Sequence, residues 1–289
     1  MHTTLSDRDL LSRLVAYDTT SRLSNLPLAD FVAEYLDRPG TRLTRLPSED
    51  GRKTSLLIET GPPARDGAGL VLSGHMDVVP ADEAGWRSDP FALDDQGDRY
   101  AARGSADMKG FLALAINRFA PLDGSRLTAP LALLLTYDEE VGTVGARRFV
   151  ETFDAERPLP RSVVVGEPTA LRVIRSHKGM LRLRLSFEGR AAHSGYPHLG
   201  RSAIEPAARA IVALAELRHQ MESERPAYAE LFPAVPYPAL NTGIVQGGSA
   251  ANVIPDRCDI QLGIRLLPEM SAQAMADRVE TAVRDSVGR

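Results

Sequence analysis

The chain has 289 residues, 43% of them hydrophobic and 25% charged, with 23 Gly and 20 Pro. That is enough apolar material for one large domain or two ordinary ones, and it excludes a disordered chain. Its 34 Lys and Arg against 38 Asp and Glu leave a formal charge of −4 with no long run of either sign, so a polyanion-binding surface is absent and nucleic acid is not expected as a partner. Cys258 is the single cysteine, which rules out an intramolecular disulfide and a thiolate zinc cluster, reads as a small core residue and fits a reducing compartment. The first ten residues lack the basic end and apolar stretch of a secretory signal. The densest apolar run, at 130–137, falls far below the roughly 20 residues that cross a bilayer. A soluble, cytoplasmic protein with no membrane partner is expected.

In chain order, Ser6 with Asp9 forms a helix cap ahead of Leu10, Leu11, Leu14 and Val15 at helical spacing. Pro27, Leu28, Phe31, Val32, Tyr35 and Leu36 mark a second helix, closed by Pro39-Gly40. Strands are expected at 54–60, 69–73, 131–137 and 162–165, separated by helices at 107–119 and near 144–153. Strands alternating with helices give an α/β sheet covered on both faces. From His177 the pattern changes. Residues 179–187 alternate strictly, as in a strand with one wet face. A helix at 202–221, strands at 240–245 and 258–266 and a helix at 271–287 follow, which is a split βαβ unit one strand short of completion. The Pro-rich stretch 225–238 reads as a surface loop.

The chemistry concentrates where strands end. Ser73-Gly74-His75-Met76-Asp77 follows an apolar strand, at the carboxyl edge where open α/β sheets bind ligands. Asp77 points to the same side as His75 and can hold its second ring nitrogen, which fixes the tautomer a metal needs. By itself His-x-Asp is a weak signal, and a satisfied core histidine is the plainer reading. Asp107 stands where a helix starts and reads alone as a cap. Asp138-Glu139-Glu140 emerges from the most apolar strand, and Glu167 follows another short apolar strand. His, Asp and Glu without Cys, converging on one sheet edge, suit Zn, Co or Mn, and a shared carboxylate can hold two ions.

These segments together resemble the co-catalytic zinc aminoacylase and carboxypeptidase family, which includes acetylornithine deacetylase and succinyl-diaminopimelate desuccinylase. The resemblance runs in order through 73–80, 86–91, 104–110, 136–142, 165–169, Ala192-His193-Ser194-Gly195 and 241–268, over essentially the whole chain. It implies a mixed-sheet α/β metallohydrolase domain with helices on both faces at 1–176, and an inserted ferredoxin-like dimerisation or lid domain at 177–289, both truncated at the C-terminus. It further implies that His75 binds one metal with Glu167, that Asp107 bridges to a second held by Glu140, that Asp77 orients His75, and that Glu139 is the general base. His193 would reach a neighbouring active site across a homodimer and help hold the tetrahedral oxyanion. Arg265 resembles the family's clamp on the substrate carboxylate, with Asn252 also in substrate binding. A strand-end surface charge at Arg265 and a polar loop residue at His193 are the plainer readings.

Arg175 to Gly179, and Asn241-Thr242-Gly243 leading to Asn252, resemble acetylornithine deacetylase most. The expected reaction is therefore hydrolysis of N-acetyl-ornithine to acetate and ornithine, a step towards arginine, with a desuccinylase or dipeptidase as alternatives. Family members continue further and supply a final metal-ligating His, whereas no His follows His219 here. The resemblance thus implies two Zn or Co ions in a complete enzyme and one in this chain, and leaves open an inactive metal-binding or dimer-forming remnant.

Overall fold

The structure, a computed structural model, describes residues 4–154, 157–174 and 176–288. It divides into two compact units, Met1–Arg172 and Val173–Arg289.

The first unit is built on a five-stranded mixed sheet in the order Thr41–Pro47, Thr54–Thr60, Leu131–Thr136, Leu70–His75, Ser162–Val165. The first three strands run antiparallel to one another, whereas Leu70–His75 is parallel to both strands that flank it, Leu131–Thr136 and Ser162–Val165. Period-two alternation sorts the side chains. Leu56, Ile58, Leu133 and Leu135 face one core with the helices Asp7–Val15, Leu26–Tyr35 and Gly110–Phe119. Leu57, Val71 and Ala132 face the other, against Phe149 and Phe153 at the helix Val144–Thr152. Helices therefore cover both faces. Ser6 caps the first helix by accepting the Asp9 N–H at 3.0 Å. The strand Thr41–Pro47 has no counterpart in the sequence reading, because as an edge strand it fully buries only Leu46 and four of its seven residues are Thr or Arg.

A second difference bears on the site. Asp107 is not the start of a helix. The helix begins at Gly110, and Asp107 (φ −122°, ψ 95°) lies in the segment Ser105–Lys109 ahead of it, in non-helical backbone. The helix-cap expectation is corrected accordingly: the carboxylate is aimed by an extended residue, and helical spacing does not govern its direction.

The second unit is a three-stranded antiparallel sheet, Ala239–Gly247, Arg257–Leu266, Gly179–Glu188, with the long strands in continuous register from Arg257↔Glu188 to Leu266↔Gly179. Ile260, Leu262, Ile264 and Leu266 pack with Leu181, Leu183, Leu185 and Phe187 against Ala207, Ala210, Leu214, Leu217 and Met221 of the helix Ile204–Glu222 and against Met275, Val279 and Val283 of the helix Ala272–Val287. Each such side chain taken fully out of water is worth about 1.5–3 kcal/mol. Cys258 is buried in this core. Element order and strand order are those of a split βαβ unit.

Candidate metal centre and associated residues

Three parallel strands in the first unit end on the same edge of the sheet, and each delivers an acidic or imidazole side chain there. His75 is the last residue of Leu70–His75, Asp138-Glu139-Glu140 follows Leu131–Thr136, and Glu167 follows Ser162–Val165. Asp107 arrives from the segment before the Gly110–Phe119 helix. Its approach needs Gly74, where a Cβ would lie 2.6 Å from Met108 and 2.7 Å from Leu112. Only a bare residue leaves Met108 room to pack on the strand end.

His75 is buried, with 1% of its side chain exposed. Its Nδ1 faces the Asp77 carbonyl oxygen at 2.9 Å and the Asp77 carboxylate at 3.5 Å. Its Nε2 faces Asp107 at 3.0 Å and Glu167 at 3.7 Å. Acceptors face both ring nitrogens; with a cation among the carboxylates on the Nε2 side, the proton would stay on Nδ1 against Asp77 and Nε2 would offer the lone pair the cation needs. Burial pulls the imidazole down, but the hydrogen bond and charge of Asp77 outweigh it and raise His75 to about 9. Burial and the charges of Asp107, Glu139 and Asp77 push Glu140 up to about 7 against the pull of His75. Burial, Asp107 and Glu139 push Glu167 up as well. Ligand atoms of His75, Asp107 and Glu140 lie within 4.8 Å of one another, and so do those of His75, Glu139 and Glu167. Crowded carboxylates that resist ionisation around one oriented imidazole are what a divalent cation relieves, so the donor set fits such an ion.

Asp77 organises more than the imidazole. Its carboxylate accepts the backbone N–H groups of Glu139 at 3.0 Å and Glu140 at 3.2 Å, and the Ser21 hydroxyl at 2.7 Å. Burial raises this carboxyl, and those hydrogen bonds with the His75 contact more than reverse it, leaving Asp77 below the usual carboxylate range. Three residues that sequence reasoning missed complete the support. Ser21 sits in a segment bonded to the chain after His75, with Ser21 N–H to Val78 O at 3.2 Å and Val78 N–H to Thr19 O at 3.2 Å. Lys53 donates to the Ser21 carbonyl and to the Asp138 carboxylate. Lys109, two residues beyond Asp107, is fully buried and donates to the Tyr17 carbonyl at 2.8 Å. Burial pulls its ammonium down to about 7 against the charges of Asp18 and Asp77. The Asp107-Met108-Lys109-Gly110 motif points to Lys109; nothing local in the sequence points to Ser21 or Lys53.

The remaining expected residues lie in the second unit. His193 and Asn252 are neighbours there. The two-residue strand Ala192–His193 pairs with Val253–Ile254, and the Ser194 N–H donates to the Asn252 carbonyl at 2.9 Å. Both side chains are exposed. Arg265 is exposed on the wet face of the sheet, opposite Met180 and Ala239, and pairs with no acid among the described residues. Arg175, one of the residues behind the resemblance to acetylornithine deacetylase, lies outside the described residues.

Residues 175–288 match the family described as Peptidase dimerisation domain. The chain is 37% identical over 268 residues to acetylornithine deacetylase of Pasteurella multocida (strain Pm70), covering 90% of this chain and 68% of that one. To acetylornithine deacetylase of Myxococcus xanthus it is 36% identical over 288 residues, 97% of this chain and 72% of that one. The chain belongs to the M20 metallopeptidase family. Its fold is that of the M20 metallo-carboxypeptidase Sso-CP2 from Sulfolobus solfataricus, with a TM-score of 0.76 at 20% identity over 98% of this chain and 76% of the other. It also resembles the di-peptidase Dug1p of Saccharomyces cerevisiae, with a TM-score of 0.74 at 18% identity over 98% and 74% of the two chains. The chain spans about two thirds of the length of the curated relatives it matches. M20 proteins are metallohydrolases with a mixed α/β fold and a dimerisation domain, and both parts of that architecture are present here. No helix among the described residues is long and apolar enough to cross a membrane.

Proposed function

We infer that this M20 chain carries the active site of an amidohydrolase that removes the acetyl group from N-acetyl-ornithine. The observation that carries the reading is the oriented His75 with Asp107, Glu139, Glu140 and Glu167 gathered on one sheet edge, in a chain 37% identical to an acetylornithine deacetylase. His75 and Glu167 would hold one divalent ion, zinc or cobalt; Asp107 would bridge to a second, held by Glu140. Bound there, such ions polarise an amide carbonyl and acidify water. Asp77 keeps the Nδ1 proton of His75 in place and holds the Glu139-Glu140 backbone. Glu139 takes the proton of the attacking water and returns it to the leaving amine. His193 donates a hydrogen bond to the oxyanion of a neighbouring site in a homodimer formed through the second unit. Arg265 pairs with the substrate carboxylate as a planar bidentate donor, with Asn252 beside His193. The chemistry has no need of a membrane or of nucleic acid, in keeping with the cytoplasmic place expected from the sequence.

Release of ornithine from N-acetyl-ornithine, measured with and without a chelator and after readdition of Zn or Co, tests the reading. Activity is expected to vanish on chelation and to return with metal. The amide of the substrate, which lacks the carboxylate charge, is expected to lose much of its kcat/KM. Faster cleavage of an N-succinyl diacid or a dipeptide would move the assignment to those substrates. No hydrolysis by a chain that binds metal and dimerises would favour a non-catalytic role.

A further inference from the structure

The turn after His193 fixes which ring nitrogen of that residue carries its proton. His193 ends the two-residue strand paired with Val253–Ile254, and the Tyr196 N–H donates back to the His193 carbonyl at 2.8 Å. Within the turn the Gly195 N–H points at His193 Nδ1 at 3.0 Å. A backbone N–H only donates, so Nδ1 must present its lone pair, and in the neutral ring the proton resides on Nε2. We propose that Gly195 is a positioning residue that locks His193 as the Nε2–H tautomer, so that the ring offers a hydrogen-bond donor to its ligand.

This inference rests on the reading of His193 as an oxyanion donor and supplies the condition that role needs. An oxyanion is stabilised by donors aimed at it, and the opposite tautomer would turn a lone pair towards the negative charge. A second observation favours glycine at this place. A Cβ on residue 195 would lie 3.1 Å from His193 Nδ1 and 3.3 Å from Cε1, tighter than ordinary contact, so a side chain there presses on the ring face that the amide holds. His75 makes the contrast plain: there Nδ1 meets a carbonyl oxygen, at 2.9 Å. A His75 ring that ligates a metal through Nε2 keeps its proton on Nδ1, against that carbonyl. One backbone acceptor and one backbone donor set the two histidines in opposite tautomers, matched to opposite tasks.

The test is long-range 1H–15N spectroscopy on the whole chain with 15N-labelled histidine and glycine, at about pH 8, where an ordinary imidazole is neutral. His193→Gln identifies the His193 signals by their loss. The expected result is a protonated Nε2, an unprotonated Nδ1, and a coupling through the hydrogen bond between the Gly195 nitrogen and Nδ1. Gly195→Ala should weaken that coupling and admit the Nδ1–H form while the rest of the amide spectrum is retained. A protonated Nδ1 in the unaltered chain overturns the proposal, whether or not the alanine variant folds, and so does an alanine variant with tautomer and coupling unchanged. Turnover by His193→Gln tests the oxyanion role separately. Unchanged turnover would sink that role and leave the tautomer assignment standing.

Discussion

Glu139 and Glu140 are adjacent, hang by their amides from the same Asp77 carboxylate, and each has an oxygen within ligand range of His75. Their separate roles therefore rest on chemistry. A base must keep a lone pair for water, whereas a ligand gives its lone pair to the ion. Glu139→Gln is expected to abolish turnover, by about 10²–10⁴-fold or more, with metal retained, and Glu140→Gln to lower metal content. Metal analysis by mass spectrometry beside an ornithine-release assay separates the two. Equal metal loss in both variants would make Glu139 a ligand and move the proton transfer elsewhere. At this scale the acids themselves are legible in the sequence, because a charged run at the mouth of an apolar strand is conspicuous. The Ser21 hydroxyl and the Lys53 ammonium are not, since a polar group counts as support only once its partner is known.

Among the elements, the acidic turn after Leu131–Thr136 depends on a residue far away in the chain. Lys53 and Asp138 are nearly withdrawn from water, with side chains 15% and 14% exposed. Burial pushes the Asp138 carboxyl up although the Lys53 hydrogen bond and charge pull it down. Asp138 also occupies the left-handed region, with φ 54°, so the turn is held by its contacts more than by local preference. Lys53→Met would strand that carboxylate. A loss of about 3 kcal/mol in unfolding free energy is expected, together with a fall in kcat at retained metal content. Adding Asp138→Asn to Lys53→Met should recover most of the stability. A Lys53→Met variant that unfolds at the same denaturant midpoint as the parent would show that this pair contributes nothing. Elements with strict periodicity, such as Gly179–Glu188, are legible in sequence for the same reason that they fold: alternate side chains have a core to enter. Thr41–Pro47 buries one residue and leaves no such trace, and the direction of Asp107 is set by Met108 and Gly74 packing across the sheet end, which no local pattern encodes.

Over the whole molecule, the metal centre couples to pH through stability. His75 is raised to about 9 from 6.5, and Glu140 to about 7 from 4.5. Without a cation the folded protein holds both protons more tightly than the unfolded chain does. Their contribution is therefore full in acid and is lost as pH rises through about 7 for Glu140 and about 9 for His75. A divalent cation displaces those protons, so the thermal stabilisation produced by added cobalt should grow between about pH 6 and pH 9. Thermal unfolding with and without the ion across that range checks it, and a shift that shrinks with rising pH would exclude His75 as a ligand. The sequence by itself determined the α/β class, the alternation of the smaller sheet, that the given residues form no disulfide among themselves, and the candidate ligands, because burial period and residue chemistry are properties of a residue and its near neighbours. Tertiary structure alone decided which strands run parallel and so bring their carboxyl ends to one edge. It also decided which amide faces His193 and which carbonyl faces His75, and that Lys53 and Ser21 hold the acidic turn. Those contacts join residues tens of positions apart, or depend on the turn of a few backbone bonds, and hydrogen-bond direction exists only once the chain has folded.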